Sequence, residues 1–252
     1  MSLTDVNPDI ILPFLFIIVS MLYSSVGLGG GSSYTALMAI FGMKHELIPT
    51  ISLALNLVVT FIGMIAFWRG GHLNFRLILP FVVTSVPMSY VGGAVRLPEE
   101  VFFWLLLVTL VLAAARLYLV NDLTLRIHLD RRQSLALSLL IGALLGFVAG
   151  TVGIGGGIYL VPLIILFGMS TEKEAAAAGT VFVWVNSAAG FISRVQRGAF
   201  SGATFFPMVG AVVLGGLLGS HLGAERFSPK MVQRLLGIVI LAAIFYLMRK
   251  II

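Results

Sequence analysis

The chain has 252 residues, 59% of them hydrophobic and only 10% charged, with a mean hydropathy of +1.08. Soluble domains carry roughly 25% charged residues, and their exposed positions must be largely polar, so this chain cannot hide its apolar surface from water and its solvent is lipid. It has no cysteine, which excludes disulfides and thiolate metal sites, and its net charge of +6 sits in the loops between apolar runs, where the positive-inside effect accounts for it better than nucleic acid does.

In chain order the apolar runs cover 10–26, 31–43, 48–67, 77–95, 101–120, 134–152, 157–169, 175–193, 203–222 and 231–248. A hydrocarbon core about 30 Å thick needs about 20 helical residues per crossing. Eight runs approach that length; 31–43 and 157–169 do not, and each of these follows a cluster of glycines. The expected fold is an all-α polytopic membrane protein of about eight to ten segments, in one integral membrane domain, 1–252. No basic n-region precedes the first run, which reads as retained rather than cleaved.

The polar stretch 121–133 divides the chain into two halves, 10–120 and 134–250, that resemble each other. Val26-Gly27-Leu28-Gly29-Gly30-Gly31 matches Val152-Gly153-Ile154-Gly155-Gly156-Gly157 at an offset of 126 residues. Phe41-Gly42-Met43 matches Phe167-Gly168-Met169, and Glu46 matches Glu172, at the same offset; Ser52 and Thr180, Gly70 and Gly198, Pro80 and Pro207, and Gly92 and Gly219 follow with a drift of one or two. Duplication with a broken helix in each half is the pattern of secondary transporters. Counting basic residues by side does not separate parallel from inverted repeats. The inverted arrangement is preferred because it brings the two glycine clusters together from opposite faces, each as a broken helix or re-entrant hairpin.

Three adjacent glycines end a helix, and irregular backbone at membrane depth is tolerated only where it lines a cavity or is buried in protein. The N–H groups freed at the start of the next half-helix, with the positive end of its dipole, can hold an anion. The substrate-binding candidates are therefore Gly29, Gly30, Gly31, Ser32 and Ser33 in the first half and Gly155, Gly156, Gly157 and Tyr159 in the second, joined by Asn56, Asn186 and Ser187 from neighbouring runs. Close helix packing by small residues is the competing reading for any single glycine. No Asp or Glu lies in the middle of a run, and a cation carrier usually needs one there, so the substrate expected is an anion. Glu46 and Glu172 read first as helix caps and second as proton relays. Thr171-x-x-Glu174 reads as a capping box. Arg69, Arg194 and Arg197 end their runs and read as snorkelling to the lipid headgroups, with Arg69 and Arg197 also candidates for recruiting an anion. His72 and His221 could titrate near physiological pH, but no histidine pair has metal-ligand spacing.

The paired glycine clusters, the Phe-Gly-Met after each, the entry Glu172-Lys173-Glu174-Ala175-Ala176-Ala177-Ala178-Gly179-Thr180 and the Arg197-Gly198 after the next run resemble the TauE/SafE family, also called the 4-toluene sulfonate uptake permease family, over nearly the whole chain. The resemblance implies a multi-pass inner-membrane exporter, proton-coupled, of sulfite, sulfoacetate or other sulfonates. Its partners would be the anion, protons and the bilayer, with a homodimer left open, no nucleic acid and no cofactor. The halves depart from each other at Ser32-Ser33-Tyr34 against Ile158-Tyr159-Leu160 and at Lys44-His45 against Ser170-Thr171, so they need not contribute equally to the site. An anion channel and a carrier of small carboxylates are the alternatives. An intramembrane serine protease pairing Ser32 with His221 lacks the Gly-x-Ser-x-Gly elbow, and the absence of a Walker A motif excludes ATP hydrolysis on this chain.

Overall fold

Lipid offers the backbone no hydrogen bonds, so an apolar run must satisfy its own by forming a helix. The computed structural model describes residues 8–25, 29–119, 130–198, 202–226 and 229–251, and these are helical apart from short turns. Each sequence half supplies five helices: α1 (Pro8–Ser25), α2 (Gly31–Ile40), α3 (Ile48–Arg69), α4 (Phe75–Ala94) and α5 (Glu99–Leu119), then α6 (Arg131–Val152), α7 (Gly157–Leu166), α8 (Glu172–Gln196), α9 (Gly202–Arg226) and α10 (Pro229–Ile251). They follow the ten apolar runs closely. α6 begins at Arg131, within the last positions of the polar stretch. Val26–Leu28 of the first cluster and 120–129 of the connection lie outside the described residues, as does the His221 side chain.

Among the described residues, α3, α4, α5, α6 and α8 are long and apolar enough to cross a bilayer. The short helices α2 and α7, ten residues each, cover about 15 Å apiece at 1.5 Å per residue. The surface has the inverse of a soluble protein's pattern. Ile10, Phe14 and Ile18 stand exposed at four-residue spacing along α1, and Ile238, Leu241, Phe245 and Met248 along α10, while Ser52, Asn56, Thr60, Ser85, Ser89, Asn186 and Ser187 are buried. The chain is a multi-pass membrane protein, with lipid facing the apolar stripes.

Helices of one half pack chiefly on helices of the other. α1 lies on α9 and α4 on α6; α3 lies on α8 and α9, α8 on α4, and α5 on α10. Without a hydrophobic force between helices in lipid, close approach through small residues takes over. Along α6, Gly142, Gly146 and Gly150 meet the carbonyl oxygens of Phe81, Ser85 and Ser89 in α4, so closely that a Cβ at any of the three would overlap them. Gly215 and Gly219 of α9 meet Ile17 and Met21 of α1 in the same way.

Contacts at the helix ends fix directions. Asn74, ahead of α4, donates to Glu174 in the first turn of α8 at 3.2 Å, and Arg197, just past α8, donates to the carbonyl of Val95, just past α4, at 2.7 Å. α4 and α8 therefore run parallel, and α3, which ends beside Asn74, runs antiparallel to α8. Lys250 at the end of α10 bridges Glu99 at the start of α5 at 3.2 Å, so α5 and α10 are also antiparallel.

Candidate functional site

The second glycine cluster leaves the helical region of the backbone. Gly153 closes α6 by donating to Ala149, and Gly153, Gly155 and Gly156 then take φ of 86°, 83° and 79°. Side chains rarely adopt that left-handed region, so three glycines in four residues let the chain drop out of α6 and restart as α7 at Gly157. The first cluster turns differently: Gly30 precedes α2 with φ −84° and ψ 7°. Neither α2 nor α7 has a side-chain cap at its start, which leaves both dipole ends without a local acceptor.

The two breaks meet at Asn56. A Cβ on Gly31 would overlap the Ile154 carbonyl and press on the Asn56 amide, one on Gly155 would come within 3.0 Å of Asn56 Nδ2, and one on Gly29 within 3.5 Å of Asn56 Oδ1. Asn56 is fully buried. Its Nδ2 donates weakly to the Gly153 carbonyl at 3.4 Å, and its Oδ1 has no hydrogen-bond partner among the described residues. One turn earlier on the same face, Ser52 donates to Gly153 at 2.8 Å and lies 3.3 Å from the Gly31 carbonyl, touching both breaks. One turn later, Thr60 donates back to Asn56 within α3 at 2.6 Å. The four-residue spacing of Ser52, Asn56 and Thr60 puts them on one helix face, and it was readable in the sequence.

Other sequence candidates face elsewhere. Ser32 and Ser33 share hydrogen bonds with the Tyr23 hydroxyl at 3.0 and 3.1 Å, which ties the start of α2 to α1. Tyr159 donates to the Thr109 carbonyl in α5 at 2.5 Å. Asn186 donates to Phe182 in its own helix at 2.8 Å, and its carbonyl accepts from Ser89 of α4 at 2.7 Å. Asn186 Oδ1 and Ser187 Oγ are buried without partners among the described residues, on α8, and neither bonds to a glycine of the breaks in the way Asn56 does. Gly156 packs against Phe182 and Leu145, and Gly157 against Val183 and the Gly179 carbonyl.

A cavity of about 210 Å³ opens at one end, between the start of α3, the α4–α5 turn and the end of α8. Its polar lining is His45, Glu46, Arg96, Thr151, Arg194 and Arg197. Here the structure corrects the sequence reading. Arg194 does not snorkel: it is 2% exposed, and it donates through Nε and Nη2 to the Gly150 carbonyl at 3.1 and 3.0 Å and through Nη2 to the Thr151 carbonyl at 2.6 Å. A guanidinium on the last carbonyls of α6 completes that helix's negative end. Nothing local in the sequence shows that the end of α6 lies beside α8, so a charge near the end of a run looked peripheral. Arg197 donates through Nη1 to Ala94 and Val95. Burial, and then Arg96, pull its guanidinium below the usual range, while Glu46 acts against the shift.

The remaining charged candidates separate. Glu46 lines the cavity, and α3 begins after it with no side-chain cap and no acid in its first turn, so the capping role expected of Glu46 is not made. Glu172 is exposed in the first turn of α8, beside the capping box that Thr171 and Glu174 form. Arg69 is exposed in the last turn of α3, at the opposite end from Arg197.

Comparison with known proteins bears on the whole assembly. The family model described as sulfite exporter TauE/SafE matches residues 12–247. A probable membrane transporter protein of Sinorhizobium fredii is 32% identical over 235 residues, covering 92% of this chain and 95% of its own. One of Bacillus subtilis is 28% identical over 254 residues, covering 93% and 97%, and one of Methanocaldococcus jannaschii is 24% identical over 259 residues, covering 91% and 94%. No solved structure matches the chain.

Proposed function

The chain belongs to the sulfite exporter TauE/SafE family and is a membrane transporter, and from that premise we propose that it exports a small sulfur oxyanion, such as sulfite, sulfoacetate or another sulfonate, across the inner membrane in exchange for protons. We read its two halves as inverted repeats; the antiparallel course of α3 against α8 and of α5 against α10 supports this reading. The anion is held where the two glycine breaks meet.

The observation that carries the proposal is Asn56. It is a fully buried amide between both breaks, with an oxygen that has no partner among the described residues and a long, weak bond from its nitrogen. An unsatisfied buried polar group costs about 1–3 kcal/mol, a cost that a donor seated beside the Asn56 oxygen removes, either water or the O–H of a singly protonated sulfite, while the amide N–H faces the anion's oxygens. The Asn56 amide and the uncapped starts of α2 and α7 supply N–H donors without a formal charge, and Ser52, bonded to Gly153, steadies the backbone beside them. Such dipoles hold an oxyanion moderately and let it go, which turnover requires. We assign the proton to Glu46 rather than Glu172, because Glu46 shares a cavity with Arg197 while Glu172 stands exposed at a helix start.

Purified protein in liposomes tests this directly. With an imposed proton gradient, sulfite or sulfoacetate should accumulate against its own gradient. Absence of flux for any sulfur oxyanion overturns the substrate class, and flux indifferent to the proton gradient overturns the coupling.

A further inference from the structure

We propose that the cavity lined by Arg96, Arg194 and Arg197 is a second oxyanion site, distinct from the meeting of the breaks, and that an anion bound there draws Arg194 away from the end of α6. This rests on the reading that the chain carries an oxyanion.

The charge balance of the cavity points to an anion. Three guanidiniums face one carboxylate, Glu46, with His45 and Thr151 completing the polar lining. The Thr151 hydroxyl is turned into its own helix, donating to Phe147 and Val148. Arg194 is buried, yet each of its hydrogen bonds among the described residues goes to a backbone carbonyl, and no carboxylate lies within ion-pair distance of it there, where the one ion pair is Lys250–Glu99. A buried cation held only by neutral oxygens keeps much of its desolvation cost. Arg197, beside it, keeps a buried Nε–H with no partner among the described residues. Guanidinium forks match oxyanions better than any other side chain does. The cavity volume of about 210 Å³ lies below the roughly 300–1,000 Å³ of drug-sized pockets, so it fits an anion of a few heavy atoms.

The site also has a lever. Arg194 holds the carbonyls of Gly150 and Thr151, and the chain turns left-handed at Gly153, two residues on. The carbonyl of Gly153 is in turn the acceptor for both Ser52 and Asn56. An oxyanion in the cavity competes with the α6 carbonyls for the same N–H groups. Binding at the cavity is thereby connected, through the end of α6, to the backbone that faces Asn56. The first half has no equivalent latch: the position matching Arg194 in register with Gly70 and Gly198 is Ala66.

The test is titration calorimetry of sulfite and sulfoacetate into purified protein, alongside flux in liposomes. Arg197→Gln should weaken binding about tenfold and raise KM by a similar factor while leaving kcat within about twofold. Glu46→Gln, which removes the one opposing charge, should tighten binding severalfold. Asn56→Ala should abolish flux and leave binding at the cavity intact. Arg194→Gln should weaken binding at least as much as Arg197→Gln; if it does not fold, the half-buried Arg197 carries the test. Wild-type flux with binding and KM unchanged in Arg197→Gln, or loss of all binding in Asn56→Ala, overturns the second site and leaves the transport reading standing. A wild-type protein that moves neither anion overturns the transport reading, and the second site with it.

Discussion

The two glycine clusters share nearly the same sequence and are not built alike. In the second, Gly153, Gly155 and Gly156 all sit at positive φ, so the backbone itself demands glycine. In the first, Gly30 lies at φ −84°, where any residue is tolerated, and the constraint comes from what surrounds it: the Tyr34 ring over Gly30, and the Ile154 carbonyl against Gly31. Equal sequence therefore does not mean equal requirement. Among the described residues, the second break is a conformational necessity, and the first is a close approach that leaves room for Asn56 between them.

Substitutions to alanine sharpen that contrast. The largest effect belongs to Gly155→Ala, which combines left-handed strain with a Cβ 2.8 Å from Val183 and 3.0 Å from Asn56. A left-handed non-glycine residue costs about 1–2 kcal/mol and overpacking about 1–3 kcal/mol. Flux should vanish and the unfolding midpoint should fall. Gly31→Ala comes next, with the overpacking cost of about 1–3 kcal/mol but no backbone strain, again with lost flux because its Cβ wedges the two breaks apart. Gly30→Ala should be milder, because its neighbour is the far end of the Tyr34 side chain. Combining Gly30→Ala with Tyr34→Ala should destabilise less than the sum of the two single changes, a coupling that a double-mutant cycle reads. If Gly30→Ala proves as damaging as Gly155→Ala, the two breaks are equivalent after all.

The contrast extends to the long helix that follows each short one. α8 starts with a capping box on Thr171 and Glu174, and α3 starts with no side-chain cap. Thr171→Ala should therefore cost about 1 kcal/mol, measured by thermal unfolding in detergent. Glu172→Gln, exposed in the first turn of α8, should stay within about 0.5 kcal/mol.

Much of this architecture was legible in the sequence. In lipid an apolar run has one way to satisfy its backbone, so all ten helices, the two short ones after the glycine clusters and the capping box at Thr171 followed from length and local pattern. Partners were harder to read. Ser32 and Ser33 looked free to bind a ligand because the sequence does not show Tyr23 lying over them. Arg194 looked peripheral because its acceptors, Gly150 and Thr151, belong to a helix more than forty positions away in the chain. The glycines at 142, 146 and 150 were visible as a four-residue repeat, but that they meet α4 is a property of the packing. Asn56 and Asn186 were indistinguishable as sequence, each a lone amide in an apolar run.

The two asparagines give the most direct test of the central claim, because the Asn56 amide lies against glycines of both breaks while the Asn186 amide bonds back into its own helix. Sulfite counterflow should be compared in liposomes holding Asn56→Ala, Asn186→Ala or the unaltered protein, at matched amounts of folded protein. The account predicts that Asn56→Ala abolishes counterflow and that Asn186→Ala retains at least half of it. Counterflow preserved in Asn56→Ala, or lost equally in both, would contradict the claim that the anion is held where the two glycine breaks meet.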